Sequence, residues 1–171
     1  MGLPSSRNTT YTGATPVKSA DLNDIQDAII AGRHHGTLKR NVDISSFAVS
    51  SGSATYDGTK ITLGAITEID VPITLNEGDT ITAVTVYFNR DSGTTLTFAL
   101  RERTPGSGPG TVVSKNISSG AANQNTDIGT SPSSGSLPKT LAAARTYFLR
   151  MSGTTGDDLL GLVVTYQHDA S

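Results

Sequence analysis

The chain contains no cysteine and no tryptophan. The first absence excludes disulfides, thiolate metal centres and cysteine nucleophiles. The second removes the largest side chain on which a sugar ring can stack. Aromatic residues make up only 5% and charged residues 16% of the 171 positions. No apolar run is long enough to cross a bilayer, which argues against membrane insertion. The N-terminus lacks the basic–apolar–small pattern of a secretory signal peptide, so synthesis in a host cytoplasm is expected. Net charge is also slight, at −2, which argues against nucleic acid as the main partner.

What the chain does have is glycine, serine and threonine, a composition suited to many short strands joined by small-residue turns. The periodicity predicts strands near 45–50, 53–56, 59–63, 66–74, 79–89, 94–103, 111–118, 144–152 and 158–167. Ile69, Val71 and Ile73 alternate with polar residues, as do Val84, Val86 and Phe88, then Leu96, Phe98 and Leu100, then Leu160, Leu162, Val164 and Tyr166. Turn signals such as Asp57-Gly58 and Asn76-Glu77-Gly78-Asp79 separate them. The expected fold is mainly β, an antiparallel β-sandwich of jelly-roll type over residues 41–171. An immunoglobulin-like sandwich is the runner-up, without its Cys…Trp…Cys core signature.

One segment breaks the β pattern. Ser19 is a good N-cap, Asp21 and Asp24 complement the positive end of a helix dipole, and Gly32 is a natural stop. Leu22, Ile25 and Ile29 recur at helical spacing, with Ile30 widening the stripe and Val17 just upstream. Residues 1–40 therefore read as a polar arm with one short amphipathic α-helix over 19–31. A helix this short needs packing partners. They are its own sandwich, sister copies around a threefold axis, or a groove on another subunit. The arm carries Arg7, Lys18, Arg33, Lys39 and Arg40 against three aspartates, a slight basic excess.

Residues 118–138 are almost free of apolar side chains and read as a long surface loop, in which Asn123, Asn125 and Asp127 are candidate contacts. No catalytic constellation is present, so the chain is expected not to be an enzyme, with no cofactor and no metal. His34-His35 reads as a solvated pair and His168 as exposed. Asp157-Asp158 lacks the alternating oxygens of a calcium loop. The five tyrosines, 11, 56, 87, 147 and 166, are scattered, and a glycan site built on hydrogen bonds alone stays open.

At TPVKSADLNDIQDAI the chain resembles the N-terminal segments of tailed-phage and prophage structural proteins, through Val17, Ser19, Leu22, Asn23, Gln26, Asp27 and Ile29. The run from Ile69 to Arg103 looks like β-sandwich modules of phage and bacterial surface proteins. The resemblance implies a virion structural role as a homotrimer, with the helix docking on capsid, neck or tail proteins and the sandwich facing outward. A chain this short fits a short fibre, head spike or capsid decoration protein better than a long fibre. The alternative is a module at an appendage tip that binds a host surface receptor or glycan.

Overall fold

A computed structural model describes residues 36–91, 93–118 and 124–168. The helix expected over 19–31, with Val17, Leu22, Ile25, Ile29 and Ile30, lies outside the described residues, as do Tyr11, His34, His35 and Asn123. No α-helix occurs among the described residues, where a single 3-10 turn, Ile44–Ser46, precedes a run of strands.

In chain order the strands are β1 (Thr37–Val42), β2 (Ala48–Ser51), β3 (Ala54–Tyr56), β4 (Ile61–Leu63), β5 (Thr67–Ile73), β6 (Thr80–Asn89) and β7 (Leu96–Arg103). There follow β8 (Gly110–Ile117), β9 (Gln124–Asp127), β10 (Ser134–Gly135), β11 (Lys139–Thr140), β12 (Thr146–Gly153) and β13 (Asp158–Gln167). They form two antiparallel sheets packed as a β-sandwich. The first runs β11–β6–β13–β4–β3, with β1 also on β13 and β9 also on β6. The second runs β10–β8–β7–β12–β5–β2.

The core follows from the alternation. Ile69, Val71, Ile81, Val84, Val86, Phe88, Leu96, Phe98, Leu100, Leu149, Met151 and Leu159 all lie within 1% of full burial. Burying each such side chain contributes on the order of 1.5–3 kcal/mol. Phe88 of the first sheet meets Phe98 of the second with ring centroids 5.1 Å apart and planes tilted by 56°, a favourable aromatic geometry that couples the layers.

Three features differ from the sequence reading, each for a physical reason. Residues 118–138 are not one loop, since β9 pairs with β6 and β10 with β8. Edge strands need no apolar alternation, and here Ile128 alone of the segment's described residues is fully buried. A strand also forms at Thr37–Val42, across the expected boundary at residue 40, because it zips onto β13 for six residues. Finally, a bulge between Leu159 and Gly161 shifts the register of β13 on β6. Leu159 therefore enters the core and Leu160 does not, the usual consequence of one extra residue in a ladder.

Aspartates shape the turns. Asp57 accepts from the main-chain N–H groups of Thr59 and Lys60 at 2.8 and 3.0 Å, and Asp79 accepts from Asn76 at 2.9 Å, as side chains that mimic turn backbone do. Asp79, only 1% exposed, also lies 2.7 Å from His168 Nδ1. His168 is therefore paired rather than simply solvated, because the end of β13 falls beside the turn into β6.

Candidate functional site

The outer face of the first sheet is ordered by strand register. One lateral row reads Asn125–Tyr87–Gly161, and the next reads Asp127–Thr85–Val163–Asn41. Val84, Val86 and Phe88 face the core, so Tyr87 points outward, and its side chain is 41% exposed. Gly161 opposite it has no side chain, which leaves the ring uncovered on that flank. A Cβ placed on Gly161 would lie 3.8 Å from Tyr87 Cδ2.

Beyond Gly161 the sheet has a gap. β1 pairs with β13 as far as Leu162, and β4 begins pairing at Leu159. Between them, no described strand covers that flank of the main chain at Leu160 and Gly161. The result is a shallow open depression of 240 Å³ lined by Asn41, Val42, Tyr87, Leu160, Gly161, Leu162 and Val163. Asn41 and Asn125 are both exposed, and neither amide bonds to another side chain or main-chain group among the described residues. An exposed ring, an uncovered stretch of main chain and two uncommitted amides are what a small polar ligand with an apolar face requires.

A charged network underlies the distal end of this face. The Asp158 carboxylate accepts from Lys60 Nζ at 2.8 Å, Thr62 Oγ1 at 2.6 Å and Asn89 Nδ2 at 3.1 Å. Burial pushes the Asp158 carboxyl up, but the bonds from Lys60, Thr62 and Asn89 outweigh it and hold the group below its usual range. The same bond raises the Lys60 ammonium. Asp157 is also committed, accepting from the N–H groups of Asp91 at 3.1 Å and Thr154 at 3.0 Å. This pair therefore ties the β12–β13 turn to its neighbours.

Of the three loop residues singled out in the sequence, Asn125 lies on the candidate face, Asn123 lies outside the described residues, and Asp127 is committed to the turn that follows β9. The Asp127 carboxylate accepts from Gly129 N at 2.9 Å and Val84 N at 3.4 Å, capping the end of β9. Sequence reasoning missed Tyr87, Gly161 and Asn41 as a group. The signal for Tyr87 was present, since it sits at odd parity between the buried Val86 and Phe88. The signals for Gly161 and Asn41 were not, because both arrive through long-range pairing.

No family model matches the chain, and no curated protein matches it. Among solved structures it is similar to a truncated AlyQ with CBM32 and alginate lyase domains, at 17% identity and a TM-score of 0.45, covering 79% of this chain and 35% of that one. This chain thus spans about a third of that protein's length. It is also similar to the C-terminal CBM6 of LamC, a marine laminarinase from Zobellia galactanivorans, at 11% identity and a TM-score of 0.45, covering 76% and 99%. A third likeness is to the carbohydrate-binding module CBM36 in complex with calcium and xylotriose, at 14% identity and a TM-score of 0.41, covering 75% and 98%. Likenesses this loose carry no argument about what this chain binds.

Proposed function

We propose that the chain is a non-enzymatic binding module whose first sheet presents a shallow glycan-binding face. The observation that carries this is Tyr87, 41% exposed beside the side-chain-free Gly161, between two uncommitted asparagine amides. A pyranose ring offers C–H groups to an aromatic face and hydroxyls to amides, and tyrosine supplies such contact at low entropic cost. The face itself supports the reading, and not the loose likeness to carbohydrate-binding modules. The resemblance at Val17–Ile29 supports attachment of the module, through the arm, to a tailed-phage-like particle that displays it outward as a homotrimer.

The test is titration calorimetry of the full chain against the neutral oligosaccharides that a glycan array selects. Tyr87→Ala is expected to weaken binding about tenfold or more, as loss of a central aromatic contact does. Tyr56→Ala, which removes a tyrosine exposed elsewhere on the surface, should leave it intact. An empty array, or equal affinity in wild type and Tyr87→Ala, would sink the proposal.

A further inference from the structure

The outer face of the second sheet carries three arginines in different states. On β12, Arg150 is fully engaged. Its Nε and Nη2 donate to Asp70 at 2.7 Å each, its Nη1 to Glu68 at 2.8 Å, and its Nη2 also to Ser50 at 2.8 Å. On β7, Arg101 and Arg103 have no such acids among the described residues. Register and alternation with Leu100 place both on this outer face, Arg101 opposite Phe148 and Thr111, Arg103 opposite Thr146. Arg101 donates one Nη2 bond to the Pro109 carbonyl at 2.7 Å, and its buried Nε has no partner. Arg103 lies over the Phe148 ring, 5.7 Å from its centroid, with Arg150 at 5.9 Å from the same ring.

The nearby carboxylates are already taken. Asp70 and Glu68 hold Arg150, and Glu102 holds Arg145 at 2.7 Å and Lys139 at 3.0 Å. Among the described residues, two guanidinium groups thus stand uncompensated in a chain whose net charge is −2, so the patch is a local arrangement rather than a consequence of overall basicity. A guanidinium resting on an aromatic ring keeps its N–H edge open, and that edge matches the two oxygens of a carboxylate or sulfate. Thr111 and Thr146, both exposed, place free hydroxyls in the same two lateral rows.

We propose that this face is a second binding site, for an acidic saccharide whose carboxylate or sulfate group is held by Arg103 and Arg101 while its hydroxyls meet Thr111 and Thr146. Two guanidinium groups flanked by hydroxyls suit one charged sugar residue. A nucleic-acid backbone, in contrast, needs a longer cationic track. The site is on the opposite sheet from Tyr87 and does not depend on it.

The experiment titrates the full chain with oligogalacturonate as the carboxylate probe and sulfated dextran oligosaccharide as the sulfate probe. Methyl-esterified oligogalacturonate and unsulfated dextran are the neutral counterparts, and a single-stranded DNA oligomer is the phosphate control. Binding of at least one acidic probe is expected, weakening as salt rises. Arg103→Gln should reduce it about tenfold, and Arg103→Lys should restore it only in part because lysine lacks the fork. Arg101→Gln should also reduce it, read together with a melting curve because Arg101 holds Pro109. Tyr87→Ala should leave acidic binding unchanged, which separates failure of this site from failure of the neutral-glycan face. Silence from both acidic probes, equal binding of the neutral counterparts, indifference to Arg103→Gln, or tighter binding of the DNA oligomer would each overturn the proposal.

Discussion

Gly161 and Tyr87 face each other across β13 and β6, and the missing side chain of the glycine is what leaves one flank of the tyrosine ring open. At 3.8 Å, a Cβ on Gly161 would make ordinary van der Waals contact with Tyr87. Gly161→Ala should therefore leave stability within about 1 kcal/mol and keep glycan affinity nearly intact. Gly161→Leu should fill the depression and remove binding while the protein stays folded. Paired melting curves and glycan titrations check this, and full affinity in the leucine variant would show that the ligand sits elsewhere.

The Asp158 network predicts a specific acid response. The folded-state pKa of Asp158 lies below its unfolded value. Its stabilising contribution is thus complete above the unfolded carboxylate pKa and is lost as pH falls through the depressed folded value. Urea unfolding measured between about pH 5 and pH 3 should show stability declining in the wild type and declining less steeply in Asp158→Asn. Identical slopes would mean that other carboxylates, such as Glu102 with its own lowered pKa, carry the whole effect.

Core truncation tests the sandwich. Leu149 is fully buried at the centre of β12, between Val71 of β5 and Leu100 of β7. Leu149→Ala should cost about 2–5 kcal/mol, read from denaturant unfolding, with the slope against denaturant unchanged. A cost below about 1 kcal/mol would indicate that the two sheets collapse onto the vacancy.

Gly135 tests the short strand β10. Its φ of 71° lies in the left-handed region, and a Cβ there would overlap the Val112 carbonyl of β8. Gly135→Ala should destabilise by more than 1 kcal/mol or so, since strain adds to the overlap. Hydrogen exchange should localise the loss to amides of β8 and β10. Unchanged protection there would mean that this edge adjusts freely.

Much of this architecture is legible in the sequence because the central strands are buried on one face only. Ile69, Val71 and Ile73, or Leu96, Phe98 and Leu100, announce a period of two that only a half-buried strand produces. The edges announce nothing comparable. Gln124–Asp127 is polar on both faces and becomes a strand through its pairing with β6. Thr37–Val42 falls outside the strands that periodicity predicts because Arg40 sits at a core-parity position, yet its guanidinium escapes to the Thr74 carbonyl at 2.6 Å. The bulge at Leu159–Gly161 inverts the parity of β13, so Leu160 looks like core and Gly161 like nothing in particular. The candidate face was half visible for the same reason. Local alternation exposes Tyr87, whereas its companions Gly161 and Asn41 are brought in by partners far along the chain.

The pairing of β1 with β13 also sets how the domain bears a load. Thr37 lies opposite Gln167, and the strand runs from there toward Leu162, so tension between residue 36 and a ligand held at Tyr87 pulls β1 lengthwise along its neighbour. All of its rungs are then strained together in shear, and none yields before the others. Tension between residue 36 and the C-terminal end of β13 would instead peel the same ladder open one rung at a time. The sandwich is therefore stiff when pulled between residue 36 and the Tyr87 face, and weak when pulled between residue 36 and the end of β13.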